Sequence, residues 1–375
     1  MTRFRDYGHF AVPGVRELTP YTPGKPIDEL EREYGISGSI KLASNENPLG
    51  SSPGALAAIR EALDELWLYP DANGFHLKQA LAEKHAVDPA CITLGNGSND
   101  VLVFLAQVFL QPGREAVYSR YCFAVYPIVS QMVGATARVA PAHSLDHPMA
   151  LGHDLRAMFE RVGENTGVVF VANPNNPTGT WLDGDRLKDF VGSLPPQTIC
   201  VIDEAYFEYA RTDKLGDAST WLAEFPNLVV TRTFSKAYGL AGIRVGYALS
   251  SPGIADLLNR VRPPFNVNSL GLVAARAALE DTEFIRRSRE VNSAGLELLT
   301  AELEKLGVRV FPSAGNFVLA GFDRSGGELN EALLARGVIA RPVANYGLDN
   351  YLRITVGTEP QNRRLLSALG EILPA

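Results

Sequence analysis

Short runs of β-branched and other apolar residues recur through the middle of the chain, at 116–118, 167–172, 198–203 and 227–233. Helix-like segments lie between these runs. Strands that alternate with helices predict an α/β fold with a sheet of mainly parallel strands. We expect this sheet to occupy the central portion of the chain.

The length of the chain predicts more than one domain. Its 375 residues, 46% of them hydrophobic, suffice for a large core, and chains beyond about 250 to 300 residues usually divide. The proline pair in Arg262-Pro263-Pro264-Phe265 indicates a break. We therefore expect a large domain over 45–262 and a smaller α/β domain over 263–375, with a helix around 270–280. The N-terminal arm, 1–44, is expected to pack on the smaller domain.

The charge balance and the apolar runs limit the possible partners. The net charge is −7 and the basic residues are scattered, so no track for a nucleic-acid backbone is expected. The N-terminus lacks the apolar core of a signal peptide, and the apolar run 101–110 is too short to span a bilayer. We expect a cytoplasmic protein with no membrane partner.

Neither the cysteines nor the histidines have the spacing of a metal site. The three cysteines form no CxxC motif, and the six histidines include no HExxH motif. An odd number of scattered cysteines does not predict a disulfide framework. No metal site and no disulfide are expected.

One lysine has a setting that favours chemistry. Lys236 follows a β-rich run and is surrounded by hydroxyl-bearing residues and glycines, which places it at the edge of a sheet. A free lysine has a pKa of about 10.4, but burial or nearby cations favour the neutral amine, which attacks aldehydes. Arg232 and Arg244 are the cations that the sequence offers. The alternative is a surface lysine in a glycine-rich turn.

An acidic residue ends the preceding apolar strand. Asp203 closes the run 198–203, and doubly wound sheets bind ligands at the carboxyl ends of their strands. A carboxylate there is suited to pair with the protonated ring nitrogen of pyridoxal phosphate. The alternative is a helix N-cap. We interpret the neighbouring Glu204 as structural.

Two loops next to predicted elements carry polar groups that suit a ligand. In the loop 173–180, Asn176 is held before Pro177, where its amide can donate to a phenolate oxygen. The glycine-rich turn 94–100 opens an apolar helix, and helix N-termini favour anions. Turn chemistry alone also explains either loop.

Together these motifs resemble those of a known enzyme family. The signature of the fold-type I, pyridoxal-phosphate-dependent aminotransferases is similar to Asn176-Pro177-Thr178-Gly179, Asp203-Glu204-Ala205-Tyr206 and Ser235-Lys236 with Arg244 eight residues on. The segments 42–48, 68–70 and 352–358 resemble those of histidinol-phosphate aminotransferases. The resemblance covers nearly the whole chain. It implies the type I fold, with a large domain and a smaller α/β domain.

The resemblance implies pyridoxal 5′-phosphate as the cofactor and a role for each matching residue. Lys236 forms the imine with the aldehyde of the cofactor and also moves the proton. Asp203 pairs with the pyridine nitrogen, and Asn176 and Tyr206 bind the phenolic oxygen. The phosphate is bound by the backbone of Ser98 and Asn99 and by the side chains of Thr233, Ser235 and Arg244.

Two aromatic positions follow from the same resemblance. Phe123 matches the residue whose ring stacks on the pyridine ring, with Tyr121 as the competing assignment. Tyr69 matches a tyrosine that reaches the cofactor phosphate of the neighbouring subunit. The resemblance therefore implies a homodimer in which each active site needs two chains.

Basic residues are expected to recognise the substrate. Arg353 lies in the motif 352–358, and a guanidinium binds a planar carboxylate through two parallel hydrogen bonds. The alternative is an exposed arginine in an edge strand. Histidinol phosphate carries a phosphate ester instead of an α-carboxylate, so the resemblance implies that Arg353, Arg341 and Tyr21 face a dianion. It also places Asn47 at the substrate.

The predicted reaction is transamination between a small-molecule amino donor and a 2-oxo acid. The resemblance favours histidinol phosphate and 2-oxoglutarate, as in L-histidine biosynthesis. An aromatic amino acid aminotransferase is the main alternative, followed by a decarboxylase of a phosphorylated amino acid. A DNA-binding regulator is disfavoured because the motif 45–48 lies too close to Met1 for an added module. A nicotinamide dehydrogenase is disfavoured because the turn 95–100 lacks the third glycine of a dinucleotide fingerprint.

Overall fold

The computed structural model of the protein describes residues 7–21, 23–210 and 214–373. Its strands are β1 (Ile40–Lys41), β2 (Ile92–Gly95), β3 (Glu115–Ser119), β4 (Thr136–Ala140), β5 (Thr166–Ala172), β6 (Ile199–Asp203), β7 (Leu228–Thr233), β8 (Gly246–Ser250), β9 (Arg309–Val310), β10 (Phe317–Gly321), β11 (Val338–Ile339), β12 (Arg341–Val343) and β13 (Leu348–Thr355). Its helices are α1 (Pro13–Arg16), α2 (Ile27–Tyr34), α3 (Pro53–Glu61), α4 (Phe75–His85), α5 (Ser98–Phe109), α6 (Val125–Met132), α7 (Leu155–Phe159), α8 (Gly184–Ser193), α9 (Pro252–Val261), α10 (Ser269–Glu280), α11 (Thr282–Lys305), α12 (Gly326–Leu334) and α13 (Glu359–Ile372). None of these helices is long and apolar enough to cross a membrane.

A seven-stranded sheet forms the centre, with strand order β2-β8-β7-β6-β5-β3-β4. The strands β3 to β7 pair in parallel, whereas β8 is antiparallel to both of its neighbours, β2 and β7. The four predicted apolar runs correspond to β3, β5, β6 and β7. The prediction of a mainly parallel central sheet is therefore confirmed.

The central strands are apolar because both of their faces are covered. Every residue of β5, β6 and β7 is buried, which is typical of parallel strands between two helical layers. Register pairs Ala172 with Asp203, and Asp203 with Thr231. The carboxyl ends of β5, β6 and β7 therefore lie side by side, and the polar residues that follow them share one edge of the sheet.

The C-terminal part of the chain builds a second sheet, with the antiparallel order β12-β13-β10-β9. Helix α11 packs on β9 and β10, and also on α13. The strand β1 of the N-terminal arm pairs with β11. Leu30 and Ala43 of the arm share a buried cluster with Leu334 and Ile339. The described part of the arm thus packs on the C-terminal part of the chain, as expected.

The predicted helix around 270–280 corresponds to α10. This helix packs with the large domain, on the other side of the predicted boundary from where the sequence placed it. It contacts α3 and α4, and Ala274, Ala275 and Ala278 belong to the core of the seven-stranded sheet. The division after residue 262 stays a prediction. We propose a boundary near Asp281, which separates α10 from α11. Asp281 caps α11, since its Oδ1 accepts a hydrogen bond from the backbone N–H of Phe284 at 3.0 Å.

Candidate active site

A cavity of about 200 Å³ lies at the carboxyl ends of β5, β6 and β7, next to the start of α5. Every residue that the sequence predicted for the site lines this cavity except Tyr69 and Asn47. The predicted residues that line it are Tyr21, Ser98, Asn99, Phe123, Asn176, Asp203, Tyr206, Thr233, Ser235, Lys236, Arg244, Arg341 and Arg353. The fold therefore brings together motifs that are far apart in the sequence.

The amine of Lys236 is poised to react at neutral pH. It follows β7, and its Nζ donates to the carbonyl oxygen of Ser44 at 2.9 Å. Burial lowers the pKa of Lys236 to about 7, and the charges of Arg353 and Arg244 act in the same direction. A large part of this lysine is therefore neutral near pH 7, and the neutral amine is the nucleophile.

Arg232 does not contribute to this shift, so its assignment as a cation near Lys236 is wrong. Its buried guanidinium donates to Glu204 Oε2 at 2.9 and 2.7 Å and to Asp217 Oδ1 at 2.7 Å. Successive residues of a strand point to opposite faces, so Thr233 faces the cavity and Arg232 faces away from it. Beyond the effect of burial, Arg353 is instead the cation that, with Arg244, lowers the pKa of Lys236.

Asp203 ends β6 at the floor of the cavity, and its two carboxylate oxygens differ. Oδ2 accepts a hydrogen bond from the hydroxyl of Tyr126 at 2.9 Å. Oδ1 is buried and has no partner among the described residues. Burial raises the pKa of Asp203, and the bond from Tyr126 opposes that rise. An unpaired buried oxygen of this kind needs a donor from a ligand.

Arg353 is buried in the cavity wall, so the alternative of an exposed edge-strand arginine is wrong. Its strand β13 lies between β12 and β10, and its Nη1 donates to Asn176 Oδ1 at 2.7 Å. Because the amide oxygen of Asn176 is occupied, its amide nitrogen is the group that faces outward as a donor. The Nε of Arg353 is buried without a partner among the described residues.

The start of α5 and Arg244 form a cradle for an anion. A Cβ atom at Gly97 would lie 2.4 Å from Arg244 Nη2, and a Cβ atom at Gly246 would lie 2.2 Å from Ser98 N. Glycine is therefore required at both positions for these donors to converge. Arg244 Nη1 also donates to Ser235 Oγ at 3.2 Å. Backbone N–H groups and the helix dipole favour a negative charge here.

The structure distinguishes the two aromatic residues that competed for the ring-stacking position. Phe123 lines the cavity, and its ring contacts Tyr126 edge to face at 5.8 Å between centroids. The ring of Tyr121 does not line the cavity, and lies under the guanidinium of Arg120 at 5.3 Å. The position of Phe123 fits the predicted stacking role.

Tyr69 and Asn47 lie outside the cavity of their own chain. Tyr69 is 82% exposed and stacks on Phe265 at 4.8 Å. The amide nitrogen of Asn47 donates to Ala237 O and to Ser288 Oγ, both at 2.8 Å. Asn47 therefore supports the segment that carries Lys236, and its assignment to the substrate has to be corrected.

Sequence reasoning missed Asn45, which lines the cavity in place of Asn47. Its Nδ2 donates to the hydroxyl of Tyr206 at 2.9 Å. Both asparagines belong to the motif 45–48, and nothing local distinguishes them. Tyr126, which holds Asp203, was missed because it lies in the same segment as Phe123 without a motif of its own.

Two arginines and a tyrosine form the outer wall of the cavity. Arg341 on β12 is paired in register with Arg353 on β13. The guanidinium of Arg341 lies 5.7 Å from the ring centroid of Tyr21. The cavity is therefore lined by the guanidinium groups of Arg244, Arg341 and Arg353 and by the amine of Lys236.

These features fit pyridoxal 5′-phosphate, the cofactor that the resemblance implies. The protonated pyridine nitrogen would supply the donor that Asp203 Oδ1 lacks, and the cradle at α5 suits a phosphate. The amine of Lys236 suits an aldehyde. Within the described part of the chain, no group of three or more His, Cys, Asp or Glu side chains could hold a metal ion.

Comparison with known proteins identifies the class and then the family. Residues 37–369 match the family described as aminotransferase class I and II. The chain thus belongs to the class I and II aminotransferases.

The chain is 57% identical to histidinol-phosphate aminotransferase 2 of Methylococcus capsulatus over 97% of this chain and 98% of that protein. It is 54% identical to histidinol-phosphate aminotransferase 2 of Pseudomonas fluorescens over 98% of both. The crystal structure of histidinol-phosphate aminotransferase from Sinorhizobium meliloti in complex with pyridoxal-5′-phosphate is similar, with a TM-score of 0.86 and 30% identity over 100% of this chain and 98% of that one. The chain belongs to the histidinol-phosphate aminotransferase family, which confirms the predicted family and type I fold.

Proposed function

We propose that the protein is a pyridoxal-phosphate-dependent transaminase that exchanges the amino group of histidinol phosphate with 2-oxoglutarate. One observation carries this proposal: the amine of Lys236, with its pKa lowered to about 7, shares a cavity with three guanidinium groups. These belong to Arg244, Arg341 and Arg353. The bound cofactor supplies an aldehyde and a ring that accepts electrons.

Each residue of the site has a role toward that group. Lys236 provides the neutral amine and holds the proton that leaves the α-carbon of the substrate. Asp203 would hold the ring nitrogen in its protonated form, because its unpaired Oδ1 would gain a charged donor. Asn176 and Tyr206, which line the cavity, would orient the phenolic oxygen, and Phe123 would cover the ring and exclude water.

The charges of the cavity favour an anionic amino donor. Arg341 and Arg353 lie opposite each other on β12 and β13, whereas Asp203 is the carboxylate among the lining residues. A phosphate dianion interacts with two guanidinium groups more strongly than the single negative charge of an amino acid carboxylate does. This balance supports histidinol phosphate over phenylalanine, and the names of the relatives agree.

The test compares amino donors in the wild-type enzyme and in two variants, Arg341→Met and Lys236→Ala. The wild-type enzyme is expected to prefer histidinol phosphate to phenylalanine and to unphosphorylated histidinol. Arg341→Met should lower kcat/KM for histidinol phosphate by roughly tenfold or more and leave phenylalanine turnover nearly unchanged. Arg336→Met is the matched control, since Arg336 is a surface arginine paired with Glu371.

Lys236→Ala should lower turnover of every donor by at least roughly a thousandfold. Borohydride reduction followed by peptide mapping should place the cofactor on Lys236. An equal or greater preference for phenylalanine would instead support the aromatic aminotransferase. A label on another residue would remove the whole assignment.

We also propose that the enzyme is a homodimer in which Tyr69 reaches the partner's cavity. Trp67 and Tyr69 are 81% and 82% exposed, and Phe265 stacks on Tyr69. Exposed apolar patches of this kind mark protein contacts. A cytoplasmic location also remains a prediction, which cell fractionation tests.

Complementation tests the dimer. The variants Tyr69→Ala and Lys236→Ala should each be nearly inactive, because each removes a part of every active site. Mixed after unfolding and refolding together, they should regain about a quarter of the wild-type activity, since half of the dimers carry one complete site. No recovery, or a monomer in light scattering, would contradict the proposal.

A further inference from the structure

Asn45 lies where the arm meets both larger sheets, and it is strained and buried. Its side chain is 1% exposed, and its backbone φ of 56° is in the left-handed region, which residues other than glycine rarely adopt. Such strain persists where the surrounding structure fixes it, and it clusters at functional sites. The fixed backbone of Asn45 also fixes the position of its side-chain amide.

Hydrogen bonds hold Asn45 on every side. Its backbone N–H donates to Thr355 Oγ1 at 3.0 Å, and its carbonyl oxygen accepts from Asn316 Nδ2 at 3.0 Å. Thr355 Oγ1 donates to Asn45 Oδ1 at 2.9 Å, and Asn45 Nδ2 donates to the Tyr206 hydroxyl at 2.9 Å. The amide has one neighbour on each side and a single consistent orientation.

The direction of these bonds follows from the number of protons. The Thr355 hydroxyl accepts from the backbone of Asn45, so its one proton goes to Asn45 Oδ1. The amide nitrogen then faces Tyr206. A phenol oxygen that accepts a hydrogen bond from an amide keeps its own proton for another acceptor. The hydroxyl of Tyr206, a residue that lines the cavity, therefore acts as a donor.

We propose that Asn45 is a positioning residue, which makes Tyr206 a hydrogen-bond donor toward an oxyanion in the cavity. The inference rests on the proposed function, in which that oxyanion is the phenolic oxygen of the cofactor. Thr355 ends β13 and Asn316 precedes β10. Asn45 therefore also ties the orientation of Tyr206 to the four-stranded sheet, which carries Arg353.

The consequence is visible in the absorbance of the bound cofactor. A donor at the phenolic oxygen stabilises its anionic form and weakens its hold on the neighbouring imine proton. The change Asn45→Asp reverses the bond, because a carboxylate can only accept, so the hydroxyl of Tyr206 would donate its hydrogen bond to the introduced carboxylate and no longer to the cavity. Asp also tolerates a positive φ. The midpoint pH of the absorbance change should rise by about one unit, a tenfold change in proton affinity.

A second pair of variants avoids the added charge. Thr355→Val removes the hydroxyl that orients the amide of Asn45, whereas Thr355→Ser keeps it. The midpoint should rise in Thr355→Val by less than in Asn45→Asp and should stay at the wild-type value in Thr355→Ser. A thermal melt of each holoenzyme checks that the variants are folded.

A double-mutant cycle separates the bond from the charge. In a Tyr206→Phe background the Asn45→Asp change has no hydroxyl to act on, so it should add less than about a third of the shift seen in the wild type. A shift of equal size in both backgrounds, or none in Asn45→Asp, overturns the inference while leaving the proposed function intact. A wild-type protein without a pH-dependent cofactor absorbance on Lys236 overturns the proposed function, and this inference with it.

Discussion

Both faces of the strand pair β6 and β7 carry charged groups. On one face these groups are paired with each other, and on the other face a carboxylate oxygen is left without a partner among the described residues. Asp203 and Glu204 are consecutive, as are Arg232 and Thr233, and consecutive residues of extended chain point to opposite sides. Glu204 and Arg232 bind each other on one side. Asp203 faces the cavity on the other side, with one oxygen unpaired.

The side away from the cavity holds a closed ion cluster, formed by Arg232, Glu204 and Asp217. Burial alone would lower the pKa of Arg232, but the neighbouring Glu204, Tyr247 and Asp217 raise it. The guanidinium also lies 4.0 Å from the ring centroid of Phe207. The charges on this side are paired with one another, whereas the cavity side keeps a buried oxygen of Asp203 that has no partner among the described residues and is left for a ligand.

The variant Asp203→Asn should produce the largest effect on the cavity side. The amide keeps the bond from Tyr126 but cannot hold a protonated ring nitrogen, so kcat/KM should fall by roughly a hundredfold to a thousandfold. The free energy of unfolding of the apoprotein should change by less than about 1 kcal/mol, because no buried charge loses its partner. Steady-state kinetics and urea denaturation measure the two quantities.

The variant Glu204→Gln should show the reverse pattern. Arg232 loses the charged oxygen that accepts from its Nε and Nη2, keeps Asp217 as its remaining ionic partner and stays buried, which costs about 3 kcal/mol of unfolding free energy. The double variant Glu204→Gln/Arg232→Met should recover part of this loss, because the buried guanidinium is gone and the charge that remains, on Asp217, is partly exposed and accepts from Ser219. Activity at temperatures well below the melting point should fall by less than about tenfold. If Glu204→Gln impairs catalysis more than stability, the two sides do not differ as described.

A smaller effect is expected in the rate of cofactor binding, which should depend on pH because the amine of Lys236 on the cavity side titrates near neutrality. The rate at which the apoprotein binds pyridoxal phosphate should rise with pH through about 7 and then level off, because burial, Arg353 and Arg244 lower the pKa of the amine. Arg353→Gln removes one of those charges, so the half-maximal pH should move upward. Arg336→Gln, at the surface, is the control and should leave it unchanged.

The same shift has a consequence for stability. Between about 7 and 10.5 the unfolded chain binds a proton on Lys236 that the native apoprotein does not bind. The free energy of unfolding contributed by this group therefore rises with pH across that window. Lys236→Met should abolish this part of the pH dependence. An unchanged dependence in that variant would show that the amine titrates normally in the folded state.

Local patterns in the sequence predicted most of the seven-stranded sheet and the residues that end its strands. An apolar run that stops at a polar residue is a property of neighbouring residues, and it sufficed for Asp203 and Lys236. For Arg232, the prediction was wrong about which face of the sheet the side chain lies on. Successive strand residues point to opposite faces, so placing Thr233 at the cavity already implies that Arg232 lies on the other face.

The remaining errors required contacts between distant parts of the chain. Asn45 is distinguished from Asn47 by Thr355, which is 310 residues away, and by Ser288, which is 241 residues from Asn47. Helix α10 was predicted from its own residues, but its packing against α3 and α4 was not. Single-sequence reasoning sees propensity and spacing, whereas these choices depend on tertiary packing.

The smallest predicted effect tests how the cavity side is supported. Tyr126 is buried, stacks on Phe170 at 4.8 Å and donates to Asp203 Oδ2. Tyr126→Phe keeps the stacking and removes the bond, so Asp203 should hold the ring nitrogen less well, with a Kd for pyridoxal phosphate up to about tenfold higher. Tyr118→Phe is the control, since Tyr118 belongs to the same buried cluster. A Kd that rises equally in both variants, in a fluorescence titration, would show that packing and not this bond supports Asp203.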